Sequence, residues 1–331
     1  MAAPHFTNMT DLAAARLGGQ ALYCTDDFFA EKENLLKPGR GIFIPDKYTD
    51  RGKWMDGWES RRKRIEGHDW CVIKLATSGI IHGVDIDTNH FLGNHPPYAS
   101  IEAAHVENAA NDDYENFPWI EILPKSPLQP GSQNLFEIST DRIFTHVRLH
   151  IYPDGGVARL KVYGEVFRDW SKGYNEVVDL AAAVNGATPV VCNDMFFSHM
   201  SNLLMPGRGV NMGDGWETKR NRTPGNRDWV IIRLAHKGVI ENVVIDTCHF
   251  KGNYPDRCMI ESCNIGDLDE KLLTEQQALW ETLLPECKLG ADCEHEFSNE
   301  ILHRNPATHV RLSIFPDGGV SRMRLFGKIV V

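Results

Sequence analysis

Two short polar motifs occur twice in the sequence, and their residue types could carry chemistry. The first is DGWE followed closely by Arg or Lys. A carboxylate crowded by guanidinium groups can have a shifted pKa, and Arg can bind an anionic carboxylate through two parallel hydrogen bonds. A solvated ion pair beside a packed Trp explains such a turn equally well. The candidates are Trp58, Glu59, Arg62 and Arg64 in the first copy and Trp216, Glu217, Arg220 and Arg222 in the second.

The second motif is DTxHFxGN, which follows a predicted strand in each copy. Its imidazole can act as an acid or a base near neutral pH, and its Asp could orient the ring or share a metal ion with it. A loop His that caps backbone groups is the ordinary alternative. The candidates are Asp87, His90 and Asn94 in the first copy and Asp246, His249 and Asn253 in the second, with Arg40 and Arg208 of PGRG upstream.

The recurrence of these polar residues favours a functional site. A packed β-rich core requires apolar residues at alternate positions, but it does not require the same His, Asn, Glu and Arg in loops. Neighbouring positions do differ, since Asn89 is replaced by Cys248 and Asp85 by Val244. Glu102 also recurs in the second copy.

Other polar features are weaker candidates. His68 is matched by Arg227, so this imidazole is not shared by the copies. The segment LGADCEHEF at 289–297 contains metal-ligand residue types, but their spacing is irregular, and we predict a solvated insertion there. Arg148 and Arg311 recur on a strand, where bridging between the copies explains them at least as well as catalysis does.

A tandem duplication carries these motifs. The segment DLAAA begins at Asp11 and again at Asp179, and ordered matches continue to HVRLHIYPDGG and HVRLSIFPDGG. The first copy has an extra stretch, IFIPDKYTDRGKW, before its DGWE motif. We predict two domains, 1–170 and 171–331, joined through the polar linker RDWSKGYN.

Hydrophobic periodicity predicts that each copy is an antiparallel β-sandwich. In HVRLHIY, apolar and polar residues alternate, which is the period of a strand with one buried face. The PDGG that follows predicts a turn and a hairpin with the next strand, LKVYG. Separate strands are predicted at 71–75 and 81–88, and a helix at 274–284. Short strands divided by turn residues are typical of a sandwich.

Composition limits the expected partners and compartment. Hydrophobic residues make up 42% of the 331 residues, and the formal net charge is -10. We do not expect such an acidic chain to bind nucleic acid or an anionic membrane. The N-terminal sequence lacks the pattern of a signal peptide or a spanning helix, so we expect a cytoplasmic protein with reduced cysteines. We also expect a homo-oligomer, and the strand faces that bear His146, Arg148 and His150 could pack on the other copy or on another subunit.

Taken together, PGRG, DGWE, DTxHF and the strand that ends in PDGG, each present twice, make the chain similar to the allantoicase family. The resemblance extends from about Asp11 to Val331 and includes the duplication. It implies an all-β fold with a jelly-roll sandwich in each repeat, like that of galactose-binding domains. It also implies a hydrolase acting on a linear amidine, which converts allantoate and water to ureidoglycolate and urea in purine breakdown. A tandem carbohydrate-binding module is the alternative, because this fold class includes many lectin-like domains.

This chemistry requires proton transfer to a leaving nitrogen and activation of water. In the first copy we predict that Glu59 and His90 are the acid and the base, with Asp87 orienting His90. The sequence leaves open which of the two donates the proton and whether both copies form working sites. The corresponding set in the second copy is Glu217, His249 and Asp246.

Binding of a small anionic ureide requires a fixed cation and hydrogen-bonding groups. The sequence leaves open whether Mn²⁺ or a similar ion also takes part, with Asp87, His90 and Glu102 as its candidate ligands. The predicted substrate-binding residues are Arg40, Trp58, Arg62, Arg64 and Asn94 in the first copy and Arg208, Trp216, Arg220, Arg222 and Asn253 in the second.

Overall fold

The structure is a computed structural model, and it describes residues 4–106, 113–171, 175–266 and 269–330. The chain divides into two compact units, unit 1 (Met1–Arg168) and unit 2 (Asp169–Val331), and the division falls within the predicted linker RDWSKGYN. Each unit is an antiparallel β-sandwich, and the described residues contain almost no helix. The predicted class, two tandem antiparallel jelly-roll β-sandwiches, is confirmed.

The described strands of both units pair antiparallel with their neighbours. Those of unit 1 are β1 (Thr10–Asp11), β2 (Gln20–Cys24), β3 (Tyr48–Thr49), β4 (Gly52–Lys53), β5 (Trp58–Glu59), β6 (Asp69–Asp87), β7 (Tyr98–Ala104), β8 (Ile120–Pro127), β9 (Gln133–Glu137), β10 (Ile143–Tyr152), β11 (Gly156–Val157) and β12 (Arg159–Val166). Those of unit 2 are β13 (Val178–Asp179), β14 (Thr188–Cys192), β15 (Trp216–Glu217), β16 (Asp228–Asp246), β17 (Arg257–Cys263), β18 (Glu281–Lys288), β19 (Glu294–Phe297), β20 (Ala307–Phe315), β21 (Gly319–Val320) and β22 (Arg322–Ile329).

One long strand joins the two layers of each sandwich. The first half of β6 pairs with β2 and β10, and its second half pairs with β12 and β9. In unit 2, β16 pairs in the same way with β14, β20, β22 and β19. The predicted separate strands at 71–75 and 81–88 are therefore one strand. Gly79 breaks the hydrophobic pattern without breaking the ladder, and a Cβ there would lie 2.4 Å from the Glu165 carbonyl oxygen.

The predicted hairpin between HVRLHIY and LKVYG is wrong. β10 and β12 both pair with β6, mainly along different halves, so the PDGG turn carries the chain from one layer to the other. Immediately after this turn, β11 pairs with β5, which contains the end of the DGWE motif. A local turn signal indicates that the chain reverses direction, but it does not identify the partner strand.

The helix predicted at 274–284 is wrong for most of its length. The chain forms one helical turn, α1 (Leu272–Glu275), then a 3₁₀ turn (Gln277–Leu279), and then enters β18. Leu283 and Leu284 are buried in the sheet, so packing overrides the local helical pattern. The other 3₁₀ segments are His5–Asn8, Ala15–Leu17, Lys32–Leu36, Tyr114–Asn116, Ala183–Asn185, Met200–Leu204 and Met212–Asp214.

The core of unit 1 lies between the two layers and is formed by alternate residues of the long strands. Ile73 and Val84 of β6 are fully buried with Ile101 of β7 and Leu149 of β10. Burial of each such side chain stabilises the folded state by about 1.5–3 kcal/mol. No helix in the described ranges is long and apolar enough to cross a bilayer. Because the long strands are packed in this core, they support the loops at their ends.

Candidate functional site

An Arg–Asp ion pair joins the PGRG loop to the end of the long strand in each unit. In unit 1, Arg40 donates two hydrogen bonds to the two carboxylate oxygens of Asp87, each at 2.7 Å. In unit 2, Arg208 makes the same two bonds to Asp246, each at 3.0 Å. The Asp87 side chain is 2% exposed and the Arg40 side chain 42% exposed. Each buried carboxylate therefore fixes the orientation of a guanidinium that still reaches solvent.

A second contact joins the PGRG and DTxHF loops, and different side chains make it in the two units. In unit 1, the side-chain amide of Asn89 donates to the Gly41 carbonyl at 2.7 Å. In unit 2, Nε2 of His249 lies 2.8 Å from the Gly209 carbonyl. Because a carbonyl only accepts, the Nε2–H of His249 is the donor. The position of the two loops is thus fixed in both units.

The prediction that Asp87 orients His90 requires correction. Both carboxylate oxygens of Asp87 accept hydrogen bonds from Arg40 instead. His90 is exposed and stacks on Phe43, with the ring centroids 5.6 Å apart. His90 and His249 nevertheless have φ values of 68° and 70°, in the left-handed region that side chains other than Gly rarely adopt. Such strain persists where the surroundings impose it, and it is frequent at functional sites.

An Arg that was not among the predicted site residues holds the DGWE loop in place. Arg159 donates to the Asp56 carboxylate at 2.7 Å, and the Ile42 amide donates to the same carboxylate at 2.9 Å. Burial opposes ionisation of Asp56, but the hydrogen bond from Arg159 holds its pKa below the ordinary value. Arg322 and Asp214 form the same pair in unit 2. The signal was present in the sequence, since an Arg recurs two residues after the PDGGV segment of each copy.

Trp58 and Trp216 are core residues, so the prediction that they contact substrate is wrong. Both side chains are completely buried. The indole N–H of Trp58 donates to the Asp26 carbonyl, and that of Trp216 donates to the Asp194 carbonyl, each at 2.8 Å. A packed ring with a satisfied N–H supports the loop that carries the next residue, a Glu, without facing solvent.

Glu59 is held in place through its backbone and its side chain. Its amide donates to the Ala30 carbonyl at 3.0 Å, and Asn94 donates its side-chain amide to Oε1 of Glu59 at 2.7 Å. Gly156, which pairs with Glu59, allows close packing, since a Cβ there would lie 2.0 Å from the Phe91 ring. Burial raises the pKa of Glu59 although the hydrogen bond from Asn94 opposes that shift. A carboxyl group with a raised pKa is suited to donate a proton.

The equivalent pair in unit 2 lies in the wall of an open cleft of about 620 Å³. Asn253 donates its side-chain amide to Oε1 of Glu217, as Asn94 does to Glu59. Arg220, one of the predicted substrate-binding residues, lines the same cleft. The cleft therefore combines a carboxyl group, an amide and a guanidinium. The other predicted Arg side chains of the DGWE loops are exposed, namely Arg62, Arg64 and Arg222.

A second cleft in unit 2, of about 400 Å³, contains Arg208 and Asp246. Its walls also include carboxylates of β19 and two Arg side chains of β22. Glu217, Arg220 and Asn253 belong to the first cleft and not to this one. The predicted site residues of unit 2 therefore line two clefts rather than one.

The predicted metal ligands of unit 1 do not come together. Asp87, at the end of β6, pairs with an Arg of the PGRG loop. Glu102 lies on β7, where it accepts hydrogen bonds from Arg148 at 2.6 Å and from His150 at 2.8 Å. The side chains of Asp87, His90 and Glu102 therefore have separate partners and do not form a Mn²⁺ site. Among the described residues, a set of metal-ligand type occurs in unit 2 instead.

Comparison with known sequences identifies the family. The allantoicase repeat family matches residues 10–167 and again 178–330. A protein of Burkholderia mallei named probable allantoicase 1 is 54% identical over 330 residues, which cover 99% of this chain and 97% of the relative. A probable allantoicase of Stutzerimonas stutzeri is 53% identical over 326 residues, which cover 98% of each chain.

Comparison with solved structures agrees with the sequence match. The crystal structure of allantoicase from Saccharomyces cerevisiae superposes with a TM-score of 0.82 at 38% identity, covering 96% of this chain and 92% of the other. A second allantoicase structure gives a TM-score of 0.83 at 38% identity, covering 97% of this chain and 93% of the other. The resemblance inferred from the repeated motifs is confirmed, and the chain belongs to the allantoicase family.

Proposed function

We propose that this chain hydrolyses allantoate to ureidoglycolate and urea, and that the Glu–Asn pairs Glu59–Asn94 and Glu217–Asn253 are the centres of the reaction. The observation that carries the assignment of the site is the recurrence of this pair in both units, in unit 2 within a cleft that also contains Arg220. Family membership supports the reaction itself. Hydrolysis of a C–N bond in a linear amidine is therefore the activity that we assign to the chain.

Substrate binding follows from the charges in the cleft. Allantoate is a small anion with two ureido groups and a carboxylate on one carbon, and Arg can bind the carboxylate through two parallel hydrogen bonds. In unit 2, Arg220 is the cation that shares the cleft with Glu217. Arg62 occupies the matching position of unit 1 and is exposed. We assign carboxylate recognition to these two residues rather than to Arg40 and Arg208, each of which already makes a two-bond ion pair with Asp87 or Asp246.

The chemical step requires a proton at the leaving nitrogen. Glu59 is suited to supply it, because burial raises its pKa and Asn94 fixes its carboxyl group. Cleavage of the C–N bond releases urea, water forms the new C–O bond at the same carbon, and the proton that water loses returns to the Glu carboxylate. The net reaction consumes one water and leaves the side chain as it began. Glu217 has the same role in unit 2, and no step requires a cofactor.

In this scheme the strained residues His90 and His249 have a structural role. His249 is committed to the Gly209 carbonyl through Nε2, and His90 stacks on Phe43. We assign both to shaping the loops that border the Arg–Asp pair, and a direct acid or base role for them stays a prediction. Substitution of His90 by Ala measures that role, because a catalytic imidazole would contribute about 10²–10⁴-fold to turnover.

Several expectations about the protein's surroundings accompany this proposal. We propose that the partner is a small anionic ureide, that the chain works in the cytoplasm, and that it forms a homo-oligomer without binding nucleic acid or membrane. The domain limits 1–170 and 171–331 likewise stay predictions. Size-exclusion chromatography with light scattering measures the oligomeric state.

The direct test of function is release of urea when the purified chain is incubated with allantoate. We expect turnover with allantoate and no comparable release from allantoin, in which a ring closes on the second ureido group. The alternative, a carbohydrate-binding module without catalysis, predicts sugar binding and no urea release. Metal dependence is measured in the same assay by chelation and add-back of Mn²⁺.

A further inference from the structure

Three side chains of unit 2 form a set of metal-ligand type outside the cleft that Glu217 lines, the Glu217 cleft. The sulfur of Cys248, a ring nitrogen of His249 and a carboxylate oxygen of Asp292 all lie within 4.8 Å of one another. Zinc bonds of about 2.0–2.3 Å place the ligands of a tetrahedral site about 3.3–3.8 Å apart. A closure of roughly 1 Å would therefore bring the set to bonding geometry. In the part of the chain that the structure describes, no second set of three meets this spacing.

The matching positions of unit 1 show that the backbone does not require these residues. The pairing of β16 with β19 follows that of β6 with β9, which places Asp292 at the position of Gly131. Both residues have left-handed φ values, 54° for Asp292 and 62° for Gly131, and Gly adopts such values without strain. Cys248 likewise stands where unit 1 has Asn89. Unit 2 thus has a thiol and a carboxylate beside a His that both units share.

Hydrogen bonds already orient the imidazole and the carboxylate. The Nε2–H of His249 donates to the Gly209 carbonyl, which leaves Nδ1 with a lone pair available for a cation. A metal-ligating His almost always donates its other ring N–H to such a partner. The backbone N–H of His249 donates to Oδ1 of Asp292 at 2.7 Å, which brings the carboxylate to the same turn. The cation that pairs with Asp292 is Lys251, at 3.8 Å and 78% exposed, and such a pair is weak.

We propose that Cys248, His249 and Asp292 bind a divalent cation of borderline softness, such as Zn²⁺, in unit 2. Thiolate, imidazole and carboxylate are ligands that Zn²⁺ accepts together, and three protein ligands leave a fourth position for water. Binding replaces the S–H bond of Cys248 with a sulfur–metal bond and releases one proton to solvent. The site contains neither Glu–Asn pair, and the test of cation binding does not depend on the proposed hydrolysis.

The test uses Co²⁺ as a spectroscopic substitute for Zn²⁺ with the full chain after chelation. Wild-type protein is expected to bind one equivalent and to show the thiolate-to-cobalt charge-transfer absorption, which Zn²⁺ then displaces. Cys248→Asn and Asp292→Gly restore the residues of unit 1 at positions with matching backbone, so both variants are expected to fold. Cys248→Asn abolishes the charge-transfer absorption, and each variant weakens cobalt binding by at least about tenfold.

Cys293→Ser is the matched control, because Cys293 is an exposed thiol of the same loop and unit 1 has Ser132 at its position. We expect this variant to keep the cobalt absorption. Zn²⁺ should also raise the melting temperature of the wild type and of Cys293→Ser but not that of Cys248→Asn. Absence of the absorption in wild type, or its persistence in Cys248→Asn with loss in Cys293→Ser, would overturn the proposal.

Discussion

Unit 1 and unit 2 hold two polar pairs in the same arrangement but surround them with different loops. Arg40–Asp87 corresponds to Arg208–Asp246, and the Glu–Asn pair recurs with the same hydrogen bond. Before DGWE, unit 1 has the stretch 42–54, which includes the small hairpin of β3 and β4, whereas unit 2 has the three residues 210–212. Because these pairs recur while the loops around them differ, our proposed site rests on the pairs rather than on the bordering loops.

The long strands explain how both units can keep this arrangement. β6 and β16 each cross from one layer to the other and end in the Asp of DTxHF. The strand that follows PDGG pairs beside that Asp and begins with the Arg that holds the DGWE loop. The PGRG, DGWE and DTxHF loops are thus held by residues at neighbouring strand ends. A change in the length of one loop does not move the residues that hold it.

The largest expected effect comes from removing both proposed proton donors. We expect Glu59→Gln combined with Glu217→Gln to lower urea release by about 10²–10⁴-fold, because an amide cannot donate the proton that the leaving nitrogen needs. Each single variant should keep roughly half of the activity if the two units work independently. Initial rates of urea release measure this. Glu66→Gln, a change in the exposed part of the same loop, is the control and should leave the rate unaltered.

Unequal rates of urea release by the two single variants would show that the two units are not equivalent. Loss of all activity in Glu59→Gln alone would show that unit 2 does not turn over by itself. Full activity in the double variant would show that neither Glu is the acid.

The next largest effect is on stability. Arg159→Met leaves the buried Asp56 carboxylate without its ion-pair partner, and we expect the free energy of unfolding to fall by about 3–5 kcal/mol. Arg322→Met should have a smaller effect, since Asp214 is 15% exposed whereas Asp56 is 8% exposed. Guanidinium chloride denaturation measures both. Equal losses of unfolding free energy in the two variants would contradict the view that solvent around Asp214 partly replaces its lost ion-pair partner.

A third prediction uses a charge that only unit 1 has. Asp85 is fully buried, burial raises its pKa to about 6, and Val244 occupies its position in unit 2. The folded state therefore favours the protonated form, so its contribution to stability is complete below pH 3.8 and is lost as the pH rises through about 6. The shift of roughly two pKa units corresponds to about 3 kcal/mol.

Asp85→Val should remove this part of the pH dependence. We expect wild-type stability, relative to that of the variant, to fall between pH 4 and pH 7, and denaturation at a series of pH values measures the difference. A constant difference across that range would show that Asp85 titrates alike in the folded and unfolded chain.

The smallest expected effect tests whether the two recurring Trp residues belong to the core. Trp58→Phe removes the hydrogen bond to the Asp26 carbonyl and part of the packed ring, which should lower the free energy of unfolding by about 1–3 kcal/mol. Turnover of the folded variant should be retained, and Trp216→Phe should behave alike. A large rise in KM without loss of stability would instead place the ring against the substrate.

Much of this architecture was accessible from the sequence because the duplication makes polar recurrence visible. Strand alternation predicted the class, and Glu59, Asn94 and their counterparts were identified from shared loops. The pairing of both β10 and β12 with β6 was not predicted. A PDGG turn is local information, whereas packing of the core determines the partner strand. For the same reason, the segment 274–284, which has a helical pattern, ends in a strand whose leucines are buried.

The site could be predicted only in part because polar partners lie far apart in the chain. Asp87 and His90 are close in sequence, yet Asp87 binds Arg40, which is 47 residues away. Arg159 was not selected because Arg is mostly a surface residue, and its burial at the start of β12 depends on a partner, Asp56, that is far away in the sequence. The separation of unit 2 into two clefts depends on the shape of the loops, which residue types do not specify.

The most direct test of the account is the structure of the Glu59→Gln, Glu217→Gln variant with allantoate bound. We predict that the substrate of unit 2 lies in the Glu217 cleft, with its carboxylate on Arg220 and a ureido nitrogen within about 3 Å of the side chain at position 217. Allantoate bound instead beside Arg208 and Asp246, with the Glu217 cleft free of substrate, would contradict the assignment.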